Sequence, residues 1–238
     1  MKIKILYEDK DILAIDKPSG VSVHADGRKK EQTISDWFIK KYPKAKNVGE
    51  SIFVDNKEIK KPGIVHRLDR ETSGVLLLAK NQKAFEFLKF QFQNREIKKF
   101  YNALVWGWPR NDRGTVSKAI GRSPSDFRKR LAGRGARGEL REAVTEYSVL
   151  KRLKDKKGVK FSFIEARPKT GRTHQIRVHM KFLNFPVLCD SLYDSKNTCP
   201  KSLNRLALHA REIVFKKLDG EKVRVISELP EEMKELVK

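Results

Sequence analysis

Apolar and polar residues alternate over Ile3–Tyr7 and again over Ile12–Asp16, on either side of the polar run Glu8-Asp9-Lys10-Asp11. Period-two alternation interrupted in this way predicts two short strands joined by a turn, which Pro18-Ser19-Gly20 brings to an end. Ile34, Trp37, Phe38 and Tyr42 recur at helical spacing, and Pro43 stops that helix. The Lys-rich stretch 44–62, broken by Gly and Pro, reads as a surface loop. Ile64–Val65 and Val75–Ala79 predict buried strands flanking a compact polar segment. Asn81 is placed to cap a helix whose Phe85, Leu88 and Phe92 share one face. Further strands are predicted over Phe100–Trp106, Val144–Leu150 and Val159–Glu165. Gly171 precedes a helix starting near Thr173 with Ile176, Met180 and Leu183 along one side, and the tail adds a hairpin turning at Asp219-Gly220 and a short helix from Glu231. Short strands mixed with helices, without regular βαβ alternation, predict an α+β fold on a mixed, largely antiparallel sheet with flanking helices and loops. No repeat or linker breaks the pattern, so residues 1–238 are read as one domain.

Charge changes this picture more than composition does. The chain carries 53 Lys+Arg against 30 Asp+Glu, a formal net charge of +23, while 39% apolar residues leave enough material for a core. A surface adapted only for solubility or heat balances Lys with Glu, and this one does not. A polyanion, above all nucleic acid, is therefore the expected partner, with an acidic substrate or an anionic membrane surface as the weaker reading. Residues 110–141 hold ten Lys/Arg against three acids and residues 151–181 eleven against two, so 16 of the 23 excess charges fall in these two stretches. Within the first, Phe127-Arg-Lys-Arg-Leu-Ala-Gly-Arg-Gly-Ala-Arg-Gly138 reads as a flexible strap. Arg128, Lys129, Arg130, Arg134 and Arg137 would grip phosphates; the alternative is a solvated loop with no dedicated contact.

Other classes drop out. The longest apolar run, Val75–Ala79, is far too short to cross a bilayer. The N-terminus has acids where a signal peptide needs an apolar segment. Cys189 and Cys199 cannot build a disulfide framework or a zinc site on their own, and His174 and His179, five apart, match no ligand spacing. A cytoplasmic protein with no metal and no cofactor is expected, with monomer as the default state.

Two segments carry chemistry. In Gly63–Ala79 one strand delivers a turn packed with His66, Arg67, Asp69, Arg70, Thr72 and Ser73, and a second strand leaves it. A polar turn between buried strands presents a reactive side chain rigidly, although Asp69 could simply cap that turn. In Lys169–Met180, Gly171 makes a turn, Thr173 is placed to cap the helix and Arg172 stands at its entrance, an electropositive focus for a carboxylate or phosphate. Arg172 and Arg177 could equally be ordinary surface ion-pair partners. No glycine-rich phosphate loop and no Gly-x-Ser-x-Gly elbow is present.

Taken together, His66-Arg-Leu-Asp-Arg-Glu-Thr-Ser-Gly74 and Gly171-Arg-Thr-His-Gln-Ile-Arg-Val-His179 resemble the RluA-like family of RNA pseudouridine synthases. Lys17-Pro-Ser-Gly20, Lys98–Gly107, Ala143-Val-Thr-Glu-Tyr147 and Leu208-His-Ala210 match in the family's order, so the resemblance covers about residues 3–215. It implies a single catalytic domain that isomerises uridines of structured RNA, ribosomal or transfer, by flipping the base out of its stack. It makes Asp69 the catalytic aspartate, Tyr101 the ring against the target base and Arg172 the cation that pairs with the aspartate. Arg67 then either fills the gap left by the flipped nucleotide or is a second partner for Asp69, with His66 and Arg70 also on the RNA side; Lys99 receives no assignment. Cys189-Asp-Ser-Leu-Tyr-Asp194 departs from the family's Gly-Asp-x-x-Tyr-Gly, which implies a loop of different shape. The chain is also read as starting at the catalytic domain, without the small N-terminal S4 domain of many relatives. The competing reading is a catalytically inactive RNA-binding or ribosome-assembly protein. A hydrolase would want a second carboxylate or a metal cluster.

Overall fold

In the computed structural model, which describes residues 1–25, 31–54, 57–194 and 196–238, the N-terminal alternation becomes an antiparallel hairpin. The strands in chain order are β1 (Lys4–Glu8), β2 (Ile12–Lys17), β3 (Ser51–Val54), β4 (Lys57–Lys60), β5 (Ser73–Ala79), β6 (Lys98–Trp106), β7 (Arg113–Ser117), β8 (Ile120–Arg122), β9 (Arg130–Ala132), β10 (Arg137–Arg141), β11 (Val144–Lys154), β12 (Lys160–Pro168), β13 (Leu208–Lys216) and β14 (Lys222–Ile226). The helices are α1 (Ile34–Lys41), α2 (Gln82–Gln93), α3 (Gln175–Phe182) and α4 (Glu231–Val237). The α+β class with a mixed sheet and flanking helices is what the alternation predicted. The chain packs as two compact units, residues 1–98 with 210–228 and residues 99–209 with 229–238.

In the first unit β2 lies between β1 and β5, and β5 neighbours β13, which pairs with β14. Ile12–Ile15 and Val75–Ala79 are buried on both faces, which explains why β5 reads as a continuous apolar run rather than an alternating one. Helix α1 starts with a capping box, Thr33 accepting from the Asp36 N–H while the Asp36 carboxylate accepts from the Thr33 N–H. Helix α2 is capped by Asn81, whose side chain accepts from Ala84 N–H, and it buries Phe85 and Leu88 as their spacing predicted. Two expectations need correction. Ile64–Val65 is not a strand: Ile64 makes only an isolated bridge to Leu78. The stretch 44–62 is not simply a loop, since a 3-10 turn over Pro43–Asn47 is followed by the hairpin β3–β4; its residues 55 and 56 lie outside the described residues.

In the second unit β6, β12, β11 and β7 form consecutive antiparallel pairs. Helix α3 contributes Ile176 and Met180 to a core with Leu104, Ile164, Leu188, Leu206 and Met233. A separate three-stranded sheet, in the order β10-β8-β9, occupies the arginine-rich stretch expected to be a flexible strap. Helix α3 begins at Gln175 rather than near Thr173, and its N-cap is His174 in the left-handed region at φ 57°.

Candidate active site

Asp69 sits on the turn between Ile64 and β5, closed by the Thr72 N–H donating to the Asp69 carbonyl. What holds this turn is a lysine. The Lys17 side chain is 0% exposed, and its ammonium donates to the carbonyls of Pro18, Val21 and Arg70 at 2.8, 2.7 and 2.9 Å. Gly20 N–H donates to the Arg70 carbonyl as well, and the Ser19 hydroxyl to the Glu71 carbonyl at 2.7 Å. The Lys17-Pro-Ser-Gly20 motif is thus a clamp on the backbone just after Asp69. The far end of the turn is fixed by Gly74 at φ 109°, where a Cβ would lie 2.2 Å from the Ala210 carbonyl oxygen, so only glycine fits.

The neighbours of Asp69 divide by burial. Leu68, Thr72 and Ser73 are buried, Asp69 is half-buried, and Arg67 and Arg70 are exposed. Arg70 lies 3.5 Å from Glu31 and 3.6 Å from Glu71, loose surface pairs that solvent screens. His66, expected on the RNA side, has a role inside the fold. Its Nε2 accepts the Leu77 N–H at 2.9 Å, and its ring stacks on Phe92 with centroids 4.6 Å apart.

Tyr101 and Arg172 belong to the second unit. Tyr101 is half-buried on β6 opposite Ala166 of β12 and packs against the core cluster. Arg172 is half-buried in the turn before α3. Its backbone N–H donates to Gln175 Oε1 at 3.0 Å and its Nε to the Glu142 carbonyl at 2.9 Å. Gln175 is the organiser of this turn. Its Oε1 also accepts from the Thr170 hydroxyl at 2.7 Å, while its Nε2 donates to the Val144 carbonyl and the Thr145 hydroxyl. It ties the turn before α3 together, while the helix itself starts at Gln175 with no side-chain cap. Lys99, two residues before Tyr101, donates to the Thr170 carbonyl at 3.3 Å and so joins the strand of Tyr101 to the turn of Arg172.

Sequence reasoning missed the loop after α3. Arg177 and Asp190, 4% and 0% exposed at their side chains, form a two-point ion pair at 2.7 and 2.8 Å. This is a buried structural pair, not the surface bridge weighed for Arg177. The Arg177 guanidinium lies 5.1 Å from the centre of the Tyr193 ring, and the Tyr193 hydroxyl accepts the Arg130 N–H at 2.9 Å and bonds His174 Nδ1 at 2.8 Å. One tyrosine thereby ties β9 of the small sheet to the N-cap of α3. The signal was available: Asp190 and Tyr193 are the residues kept in the family pattern where the flanking glycines are not. Cys189, in one glycine's place, still adopts φ 59°, and it forms a disulfide with Cys199, with Cα atoms 4.9 Å apart. His179 is likewise absorbed by the fold. It bonds the Thr145 hydroxyl and the Lys118 carbonyl, and burial lowers its pKa from the ordinary imidazole value.

The small sheet displays most of the expected phosphate-binding residues. Arg128, Arg134 and Arg137 are exposed, and Lys129 and Arg130 half-buried. Arg128 pairs with Asp126 at both ends of its guanidinium, at 3.0 and 2.8 Å, which holds the Asp126 carboxyl down to about 2. Arg141 and Glu139 repeat this two-apart pairing.

Residues 11–182 match the family described as RNA pseudouridylate synthase. The chain is 36% identical over 238 residues to an uncharacterized RNA pseudouridine synthase of Bacillus subtilis, covering all of this chain and 72% of that protein. It is 35% identical over 228 residues to the ribosomal large subunit pseudouridine synthase D of Borreliella burgdorferi, covering 96% and 65% of the two. Among solved structures, human RNA pseudouridylate synthase domain containing 1 superposes with a TM-score of 0.74 at 27% identity, over 95% of this chain and 83% of that one. The clamped aspartate turn and the glutamine-organised arginine turn therefore belong to a member of the RNA pseudouridine synthase family, an isomerase acting on RNA.

Proposed function

We propose that this enzyme isomerises one or a few uridines of ribosomal RNA or tRNA, acting as a monomer in the cytoplasm. Isomerisation breaks the N1–C1′ bond, turns the uracil and rejoins it through C5. No atoms or electrons enter or leave, so the reaction itself calls for no cofactor. It needs an ionised carboxylate near C1′, a pocket that retains the freed base and a way to take the uridine out of its stack. In this reading Asp69 supplies the carboxylate, Tyr101 the surface against the uracil, and Arg172 the cation that favours the ionised acid. Arg67, Arg70 and His66 lie on the turn that meets the RNA, and Arg128, Lys129, Arg130, Arg134 and Arg137 position its backbone. The observation that carries this is the Lys17 clamp: a fully buried ammonium ties the Arg70 carbonyl, one residue after Asp69, to the backbone of Pro18 and Val21.

The substrate is found by mapping pseudouridine across ribosomal and transfer RNA from cells with and without the gene. Loss of a few defined sites, restored by the wild-type gene, names the target and supports the reading. An unchanged map would contradict it and favour a binding protein that keeps the fold alone. Among the described residues no helix is long and apolar enough to cross a membrane.

A further inference from the structure

Lys99 resembles none of the other lysines described above. Strand alternation puts its side chain on the same face of β6 as Tyr101, and its ammonium meets the turn that carries Arg172. An ammonium has three donors, and here one reaches the Thr170 carbonyl at a long 3.3 Å. Gly171 leaves the space beside it open: a Cβ there would meet nothing within 4 Å except Lys99 Nζ, at 3.8 Å.

Strand alternation puts the acids of β11 and β12, Glu146 and Glu165, on the face opposite Tyr101 and Lys99. Glu146 pairs with Lys169 at 2.9 Å and Glu165 with Arg167 at 2.6 Å, and no carboxylate among the described residues pairs with Lys99. Burial without a counter-charge pushes its pKa down to about 8. The contrast with Lys17 is direct, because Lys17 is more deeply buried but three carbonyls replace its hydration. A half-buried cation with one weak partner destabilises the free protein, and an arriving anion relieves that cost. The charged residues next to it along the chain and at the Thr170–Arg172 turn, Lys98, Lys169 and Arg172, are cationic.

We infer that Lys99 is an RNA-binding residue that receives a backbone phosphate beside the Thr170–Arg172 turn, on the Tyr101 face of β6. That the anion is an RNA phosphodiester rests on the pseudouridine synthase reading; that no carboxylate among the described residues pairs with the ammonium does not. The alternative is a strut that only supports the turn through the Thr170 carbonyl.

The two roles separate in the full-length chain carrying Lys99→Met or Lys99→Arg, with unmodified large-subunit ribosomal RNA and unmodified tRNA transcripts as probes. Lys99→Met is expected to bind RNA about tenfold more weakly, with the slope of log K against log salt reduced by about one. Its KM should rise while kcat stays within about threefold of wild type, and its Tm should hold or increase because a desolvated charge has been removed. Lys99→Arg should retain affinity within about threefold, since it keeps the charge. Unchanged affinity and salt slope in Lys99→Met would overturn the inference, as would a lowered Tm with a parallel loss of kcat, the signature of a strut. If the wild-type chain binds these RNAs without forming pseudouridine, the proposed activity fails, and the binding, salt and Tm measurements still decide Lys99.

Discussion

The Asp69 turn and the small basic sheet use the same residue types to opposite ends. Around Asp69 the decisive cation, Lys17, is fully buried, holds three carbonyls and faces no solvent. In and beside the sheet β10-β8-β9 the arginines are largely exposed, and Arg128, just before β9, and Arg141 pair with acids only two residues away. A buried cation with its donors satisfied fixes backbone geometry, because any movement leaves polar groups unpaired in a poor solvent. An exposed arginine held by a local carboxylate changes partner at little cost. The net charge of +23 is therefore not one property. Part of it is buried and structural, and part is exposed, where the proposed RNA contacts would be made.

Substitutions at the two regions should break the comparison in different ways. Lys17→Met takes the ammonium from three carbonyls, leaving that of Arg70 with only the Gly20 N–H, and is expected to lower stability by about 3 kcal/mol, measured by denaturant unfolding, with activity lost through the displaced turn. If Lys17→Met unfolds like wild type, the clamp is not what holds the turn. Arg134→Ala and Arg137→Ala should each leave stability within about 0.5 kcal/mol while weakening RNA binding a few-fold and lowering the salt slope by about one. A loss of kcat at either position equal to that at Arg172 would erase the division between site and sheet.

How much of this was legible in sequence follows from the same physics. The N-terminal hairpin, α1, α2 and the tail hairpin repeat their periods locally, and Asn81 announces its own cap. The start of α3 differs from the expectation because the helix has no side-chain cap and its N-cap, His174, takes a left-handed conformation that no sequence pattern announces. The small sheet escaped notice because all five residues of β10 are exposed, so no apolar alternation marks it. The Asp69 turn was visible as a motif, but what steadies it was not. Lys17 reaches the Arg70 carbonyl across 53 residues, a contact that no local pattern encodes. Arg177 and Asp190 pair across 13 residues, from a helix whose residues Gln175–Met180 are all buried. A charge in such a helix demands a partner, and no local periodicity says that the partner is Asp190.

The account turns on Asp69 being the reacting carboxylate in a turn that is otherwise scaffold. Asp69→Asn keeps the side-chain shape and removes the charge. Measured on the RNA identified by mapping, under single-turnover conditions, it is expected to lower pseudouridine formation by roughly 10⁴-fold or more, with RNA affinity within about threefold and Tm close to wild type. Pseudouridine formed by Asp69→Asn at a rate near that of wild type would contradict the account.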